Sequence, residues 1–198
     1  MKQNFKLRPL SWSAISSFKF NKEVWYSKYV LGETTLPNDE MKFGSMIGKR
    51  LETEKKFLPM IKRHNKMEYQ FKVNFNGIEM VGYADSFCTK TNKKLCEYKT
   101  GKNVWNKKRA DEHGQITMYL LMNYIQNKVI PDEVEVELFW MPTKKSNKGL
   151  QRIITFVEPI EKHIRSFKTK RSMNDVLKFG NEIVSVYKEM EEFAKNHK

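Results

Sequence analysis

The sequence has little cysteine and no long apolar segment. Its 198 residues include two cysteines, Cys88 and Cys96, which are not in C-x-x-C spacing. Two thiols cannot complete a four-cysteine site, so we expect no iron–sulfur cluster in the chain. The low cysteine content also favours a reducing compartment such as the cytoplasm.

The chain also lacks the usual signals for a membrane or for export. No apolar run approaches the roughly 20 residues of a membrane-spanning helix. The first residues, MKQNFKLRPL, have no apolar signal-peptide core. We therefore expect a soluble intracellular protein with no membrane partner.

Acidic residues are scarce relative to basic ones. The chain has 37 Lys and Arg against 23 Asp and Glu, which gives a formal net charge of +14. This excess favours a polyanionic partner, either nucleic acid or an anionic membrane surface. The basic residues lie in short clusters that are not combined with a long apolar helical face, so nucleic acid is preferred.

The apolar content is sufficient for a globular core. Hydrophobic residues make up 39% and aromatic residues 13% of the chain, which favours one domain over residues 1–198. Its N-terminal part, about 11–61, is predicted to be helical, with a second helix from about Glu40 to Ile61 and a candidate break near Pro59. A helical tail is predicted over about 159–198, with a possible break at 171–174.

Between these helical parts the pattern predicts strands. Residues 69–75 and 78–89 alternate and are separated by Asn76-Gly77, a strong hairpin signal. A short strand at 95–99, a helix at about 108–127, and strands at 132–143 and 150–158 follow, with a turn at 144–149 between the last two. This order predicts an α/β fold with a mixed central sheet flanked by helices.

The stretch LCEYKTGK, residues 95–102, places two opposite charges on one strand face. Strand side chains alternate, so Glu97 and Lys99 point the same way. Asp85 lies on the preceding strand, and a three-residue loop at 91–93 would put it opposite Lys99, with Glu97 diagonal. A two-residue turn would put Asp85 on the other face. We therefore predict a connection of odd length that brings Asp85, Glu97 and Lys99 together.

Two carboxylates beside a lysine can form a site for a hard cation. Mg²⁺ and Mn²⁺ take oxygen ligands, and one or two carboxylates commonly hold Mg²⁺ together with a substrate phosphate. Such a metal can activate water against a phosphodiester, and a lysine can orient that water or stabilise the transition state. The alternative is a structural salt bridge on the strand.

The fragments GYAD, CEYKTGK and HGQITMY together resemble the RecB-like branch of the PD-(D/E)XK nuclease superfamily. LSWSAISSF and WYSKY are similar to its first helix, so the resemblance covers about residues 11–156. It implies a restriction-endonuclease-like core, with Asp85, Glu97 and the backbone carbonyl of Tyr98 as metal ligands. Lys99 would assist the attacking water, and Gln115 and Tyr119 would contribute to the active site and to DNA contacts.

The helix that carries Gln115 and Tyr119 gives independent support. Residues 116–125, ITMYLLMNYI, are apolar nearly all round, so this helix should be buried. Gln115 and Tyr119 are four residues apart on one face, and buried polar groups need partners. The alternative is a core tyrosine and an ordinary residue at a helix start.

One position departs from the family pattern. In FGSMIGKRLE, Gly48 stands where many members of the family have a metal-binding histidine. Glu52, one turn later, is the candidate that could replace this ligand, although it could instead pair with nearby lysines. His64 and His113 are further alternatives, and His113 is also a candidate phosphate contact. The missing ligand leaves room for a weakened or inactive nuclease.

A basic loop with one aromatic residue follows the Glu97–Lys99 strand. Its composition fits backbone contacts and base stacking on a nucleic-acid strand, or else a solvated loop. The candidate nucleic-acid-binding residues, together with His113, are Lys102, Trp105, Lys107, Lys108 and Arg109.

The sequence thus predicts a deoxyribonuclease dependent on Mg²⁺ or Mn²⁺, and we expect an exonuclease acting in recombination, repair or DNA end-processing. A partner among recombination or replication proteins is possible, and the oligomeric state is open. The alternatives are a DNA-binding module that has lost catalysis, an endonuclease of the same superfamily, and a binder of membrane surfaces or anionic proteins.

Overall fold

The computed structural model of the protein describes residues 7–148 and 151–197. Its centre is a six-stranded mixed sheet with helices on both faces, as the sequence predicts. The strands are β1 (Lys66–Phe75), β2 (Ile78–Phe87), β3 (Lys94–Gly101), β4 (Glu135–Lys148), β5 (Gln151–Phe156) and β6 (Arg165–Thr169). The helices are α1 (Trp12–Phe20), α2 (Lys22–Trp25), α3 (Asp39–Thr53), α4 (Lys107–Asp111), α5 (Gly114–Asn127), α6 (Ile160–His163) and α7 (Met173–Asn196). A π-helical turn (Tyr26–Leu31) and a 3₁₀ turn (Pro131–Glu133) complete the described elements.

The strand order is β1-β2-β3-β4-β5, and β6 also pairs with β4. Strands β3 and β4 are parallel, and the other pairs are antiparallel. The β1–β2 hairpin turns at Asn76-Gly77, where both residues have positive φ, 50° and 83°. This is the backbone that an Asn-Gly turn requires, so the predicted hairpin is confirmed.

Side chains that alternate along β3 and β4 divide the core into two clusters. Helices α1, α5 and α7 pack on one sheet face, which includes Leu95 and Leu138. Helices α3 and α6 pack on the other face, against Phe139 and Met141. Helix α5 is buried from Ile116 to Asn123, as its apolar composition predicts. Among the described residues, no helix combines the length and the apolar character needed to cross a membrane.

Helix α3 ends at Thr53, so the prediction of a helix to Ile61 is wrong. The next residue, Glu54, has extended backbone angles (φ −107°, ψ 92°). The chain then winds around the Arg63 guanidinium, which donates to the carbonyls of Leu51 (2.8 Å) and Ile61 (3.2 Å). Carbonyls held by a side chain are satisfied without a helix, which is a tertiary effect that periodicity does not reveal.

The helix predicted over 108–127 is two helices. Helix α4 ends at Asp111, and α5 starts at Gly114. The corner is held by the buried guanidinium of Arg171, which donates to the carbonyl of Ala110 at 2.9 Å and to that of His113 at 3.4 Å. The corner is important for the site because it sets where α5, and therefore Gln115, begins.

Two further predictions need correction after β4 begins. The turn predicted at 144–149 is strand as far as Lys148, where β4 pairs with β5, and its last residue lies outside the described residues. The tail after Pro159 is not all helix, because residues 165–169 form β6 along β4. Phe167 lies opposite Leu138 and Thr169 opposite Val136, so this alternating segment has an apolar strand to pair with.

Candidate active site

Strand β3 carries Glu97 and Lys99 on one face beside the start of α5. Lys99 Nζ lies 2.6 Å from Glu97 Oε1 and 2.7 Å from Gln115 Oε1. Glu97 is 2% exposed, and the side chain of Lys99 is 23% exposed. The Lys99 ammonium therefore connects the buried Glu97 carboxylate to Gln115 on α5. The Lys99 side chain remains partly accessible to solvent.

Asp85 reaches this group from β2. The ladder pairs Ser86 with Cys96 and Phe87 with Leu95, and the Cys88 N–H donates to the Lys94 carbonyl at 2.9 Å. The connection between β2 and β3 thus has five residues (89–93), an odd number as we predicted. The pairing of β2 with β3 is shifted by two residues from the predicted one, which had a three-residue loop. Continued by one pair, it sets Asp85 opposite Glu97 rather than opposite Lys99.

The Asp85 carboxylate is held by the backbone of β3. It accepts a hydrogen bond of 2.5 Å from the Tyr98 N–H. In a strand, the N–H and C=O of one residue point to the same side, so the Tyr98 carbonyl also faces Asp85. The resemblance assigns this carbonyl to the metal, and the backbone geometry is compatible with that role.

An irregularity in β1 lies directly beside Asp85. The β1–β2 ladder pairs Met67 with Ser86 and Tyr69 with Ala84 but omits the pair between them, Glu68 with Asp85. Glu68 has a φ of 47°, a left-handed conformation that costs a non-glycine residue about 1–2 kcal/mol. Such strain tends to accumulate at functional sites. Sequence analysis missed Glu68, since a charged residue in a strand gives no signal of it.

Burial and like charge disfavour the ionised carboxylates. Burial raises the pKa of Asp85 well above its usual value, the charge of Glu97 raises it further, and Lys99 opposes the shift. Burial also raises the pKa of Glu97, again against the effect of Lys99. Glu97 Oε2 is buried and has no hydrogen-bond partner. A carboxylate pair in this state is stabilised by a shared proton or by a bound cation.

Gln115 and Tyr119 extend the hydrogen-bond chain from Lys99. Gln115 Nε2 donates to the Tyr119 hydroxyl at 2.6 Å, and that hydroxyl donates to the Tyr83 carbonyl. Burial raises the pKa of Tyr119, so the phenol stays protonated. The tyrosine ring packs against Gly82, where a Cβ would lie 2.8 Å from Tyr119 Cε1. The two residues therefore fix the position of the Lys99 ammonium.

The donors around Asp85 fit a hard divalent cation that keeps part of its water shell. Asp85, Glu97 and the Tyr98 carbonyl offer only oxygen, which Mg²⁺ and Mn²⁺ prefer. Within the described ranges, no three His, Cys, Asp or Glu side chains converge as a metal-binding group. Water and substrate oxygens would therefore have to complete the coordination.

A cleft of about 830 Å³ opens in front of these donors, between α3 and the strands. Its walls include Gly48, Glu52, Glu68, Asp85 and Lys99. A Cβ added to Gly48 would meet no atom within 4 Å, so this position faces open space. Glu52 is exposed on α3, and its charge helps to raise the pKa of Glu68 after burial, the larger cause. Glu52 thus lies on the cleft but does not join the Asp85–Glu97 pair.

The candidate nucleic-acid residues separate into two groups. Lys102 and Arg109 line a cavity of about 310 Å³ that shares Lys99 and Thr100 with the cleft. Lys144 and Lys145 line the same cavity, although the sequence placed both in a turn. Lys107 pairs with Asp111, and Lys108, 81% exposed, lies 3.9 Å from Glu112. Lys107 and Lys108 do not line the cleft.

Trp105 and His113 do not have the environments we expected. Trp105 is 8% exposed, with the Arg109 guanidinium 4.3 Å from its ring centroid, so its ring is not free for base stacking. His113 packs between Trp12 and Trp105. Burial and nearby cations lower the pKa of His113 to about 3, so the ring is neutral and cannot act as a cation for a phosphate. His64 contacts Cys96, on the opposite face of β3.

Comparisons with known proteins give a likeness in fold only. No protein-family model and no curated protein matches the chain. A structure from Eubacterium rectale, named "Putative exonuclease", has a TM-score of 0.55 and 8% identity over 95% of this chain and 82% of that one. A second structure, SSO0001, has a TM-score of 0.50 and 13% identity over 94% and 77%. Both likenesses support the mixed α/β fold with its flanking helices, and one is to a protein named as a nuclease.

Proposed function

We propose that the protein is a metal-dependent nuclease that hydrolyses DNA phosphodiester bonds. The observation that carries the proposal is the pair of Asp85, half-buried on the cleft, and buried Glu97, which has one unpartnered oxygen and an ammonium 2.6 Å from the other. A purely structural salt bridge would need only one carboxylate for one lysine. The fold neighbour named as an exonuclease supports the same reaction class.

Each residue of the site then has a defined task. Asp85, Glu97 and the Tyr98 carbonyl would hold Mg²⁺ or Mn²⁺. The cation would lower the pKa of a bound water and neutralise charge on the phosphodiester. Lys99, fixed by Glu97 and Gln115, would orient the attacking water and stabilise the transition-state charge. Tyr119 would hold Gln115 and exclude solvent from the back of the site.

We further propose that the enzyme acts as an exonuclease of the RecB-like type in recombination, repair or DNA end-processing. The order of Asp85, Glu97, Lys99, Gln115 and Tyr119 along the chain supports this assignment, as do the hydrogen bonds that join the last four and the bond from the Tyr98 N–H to Asp85. Lys102, Arg109 and Lys144, beside the Lys145–Glu40 ion pair, provide a basic continuation of the cleft that a DNA strand could follow.

The test uses end-labelled linear DNA and covalently closed circular DNA with Mg²⁺, Mn²⁺ or EDTA. We expect metal-dependent loss of the linear DNA alone, and a decrease of at least about 100-fold in rate for Lys99→Ala. Lys188→Ala, an exposed lysine on α7, is the matched control and should keep the wild-type rate. Cleavage of the circle would indicate an endonuclease, and equal rates for Lys99→Ala and wild type would refute the assigned role of Lys99.

Gly48 favours a second candidate, a DNA-binding module with weak or no catalysis. Because a Cβ at Gly48 would meet no atom within 4 Å and Gly48 lines the same cleft as Asp85, this position can accept a side chain that extends into the cleft. If the missing ligand limits the enzyme, Gly48→His should bind Mn²⁺ about tenfold more tightly and raise the cleavage rate. Calorimetric titration with Mn²⁺ measures the affinity, and Gly48→Gln, without an imidazole, is the control. Unchanged affinity in Gly48→His would show that no ligand is missing at this position.

A further inference from the structure

The face of β3 that carries Cys96, opposite to the face with Glu97 and Lys99, is charged at the N-terminal end of the strand. The register places Cys96, Glu137 and Lys168 in one row across β3, β4 and β6. In the next row Lys94 lies beside Glu135. Parallel strands are usually apolar on both faces because helices cover them. Packing of the core therefore does not explain why this face of β3 and β4 carries charged residues.

This face forms the wall of a cavity of about 630 Å³, which we call the basic sheet pocket. Part of its lining is apolar or uncharged and comes from Leu95, Cys96, Val136 and Thr169. The cations that surround it are Lys62, Lys94, Lys107, Lys168 and Lys170, and the acids are Glu135 and Glu137. Five ammonium groups against two carboxylates leave an excess of three positive charges.

Both acids of the basic sheet pocket already have partners. Glu137 pairs with Lys62 at 2.5 Å, and Glu135 lies 3.9 Å from Lys94. Lys107 pairs with Asp111. Across residues 7–148 and 151–197, neither Lys168 nor Lys170 has an ion-pair partner, and both are exposed. These two ammonium groups are therefore free to bind an anion.

His64 reports a positive potential inside the pocket. Burial lowers its pKa first, and the charges of Lys94 and Lys62 lower it further, against the smaller effects of Glu135 and Glu137. The lysines thus outweigh the carboxylates at the pocket wall. A positive potential of this kind favours an anionic ligand over a cationic one.

We propose that the basic sheet pocket binds the sugar–phosphate backbone of nucleic acid, outside the cleavage cleft. Lys168 and Lys170 are two residues apart along a strand direction, about 6.6 Å, and Lys94 is two strands away, about 10 Å. Lysines whose backbones are spaced in this way can reach successive phosphates of a strand instead of converging on one anion. No residue is shared between the described linings of the basic sheet pocket and of the cleft, so this contact is made by DNA that lies outside the cleft. The proposal does not depend on catalysis.

The test is DNA binding in EDTA, measured by fluorescence anisotropy over a range of salt concentrations. We compare Lys168→Gln/Lys170→Gln with Lys178→Gln/Lys188→Gln, which removes the same charge from exposed positions on α7. The pocket variant should bind at least about tenfold more weakly, and its slope of log affinity against log salt should fall by about 1.8 for duplex DNA. The α7 variant should keep the wild-type slope.

Two results would overturn the proposal. One is an affinity and a salt slope that are the same in both double variants. The other is loss of binding to a mononucleotide in the pocket variant while its binding to long DNA is unchanged, since that would make the pocket a small-molecule site. Cleavage by wild type and by Lys99→Ala is measured in a separate assay. A protein that binds DNA through the pocket but does not cleave would therefore contradict the proposed nuclease activity and leave the pocket proposal supported.

Discussion

Glu97 combines two conditions that rarely occur together without a ligand. Its Oε1 accepts a hydrogen bond from the Lys99 ammonium. Its Oε2 is buried and has no hydrogen-bond partner. Strand alternation predicted that Glu97 and Lys99 share a face, and loop parity predicted that Asp85 joins them. The exact register was beyond sequence reasoning, because five-residue and three-residue loops have the same parity.

Single residues of the site also show where sequence reasoning fails. The left-handed backbone of Glu68 lies where the β1–β2 ladder is interrupted opposite Asp85, and Glu68 is neither glycine nor asparagine, the residues that usually adopt this conformation. Trp105 was expected to stack on a base because it is the aromatic residue of a basic loop. Its ring is instead buried beside His113 and covered by the Arg109 guanidinium.

His113 should make the fold sensitive to acid. Its pKa is about 3 in the folded chain against an ordinary 6.5, so between these values the unfolded chain binds a proton that the folded chain does not. The free energy of unfolding therefore decreases as pH falls below 6.5, by roughly 1–2 kcal/mol between pH 7 and pH 5. Urea unfolding at several pH values measures it.

His113→Phe is the matched variant for this prediction. It keeps an aromatic ring between Trp12 and Trp105 and removes a nitrogen, Nδ1, that is buried without a partner. The variant should lose less stability than wild type between pH 7 and pH 5. Parallel pH curves for the two proteins would show that His113 is not the titrating group.

At the level of elements, the corner between α4 and α5 determines the position of Gln115. The sequence predicted one helix there, over about 108–127, although only residues 116–125 are apolar nearly all round. The corner exists because Arg171, more than 50 residues later, takes up the carbonyls of Ala110 and His113. A long-range contact of this kind overrides local pattern. Strand β6 was missed for the same reason, since its partner β4 is remote in sequence.

Gly114, the first residue of α5, should be intolerant of any side chain. A Cβ at Gly114 would lie 2.2 Å from Trp12 Cη2. The side chain of Trp12 on α1 or the start of α5 would therefore have to move. We expect Gly114→Ala to lower the free energy of unfolding by about 1–3 kcal/mol. Thermal or urea unfolding measures the change.

Gly48→Ala is the control for Gly114→Ala. Gly48 lies inside α3 with nothing within 4 Å of an added Cβ, so alanine should stabilise the protein by about 0.5–1 kcal/mol. Opposite signs for the two substitutions are expected. A neutral Gly114→Ala would mean that Trp12 moves away at little cost and that the corner is not tightly packed.

At the scale of the whole molecule, the positive charge that contributes to the net +14 includes two separate basic surfaces. One set of lysines and Arg109 continues the cleft at the C-terminal end of β3, and a second set surrounds the basic sheet pocket at its N-terminal end. The sequence predicted a polyanionic partner from the total charge. It could not separate the two surfaces, since Lys107 and Lys168 come together only when α4 and β6 are packed in the fold.

The overall architecture was more accessible to sequence reasoning than its details. The hairpin at Asn76-Gly77, the buried α5 and the mixed sheet follow from local patterns and are present. The roles of the site residues remain predictions. They depend on whether Asp85 and Glu97 bind a cation, which is the central claim.

Thermal unfolding of wild type and Asp85→Asn, each in EDTA and in Mn²⁺, tests this claim most directly. Asparagine at this position can still accept from the Tyr98 N–H and removes the repulsion with Glu97, so Asp85→Asn should be at least as stable as wild type in EDTA. Mn²⁺ should raise the melting temperature of wild type and leave that of Asp85→Asn unchanged. A wild type that does not respond to Mn²⁺, together with a less stable Asp85→Asn, would contradict the account.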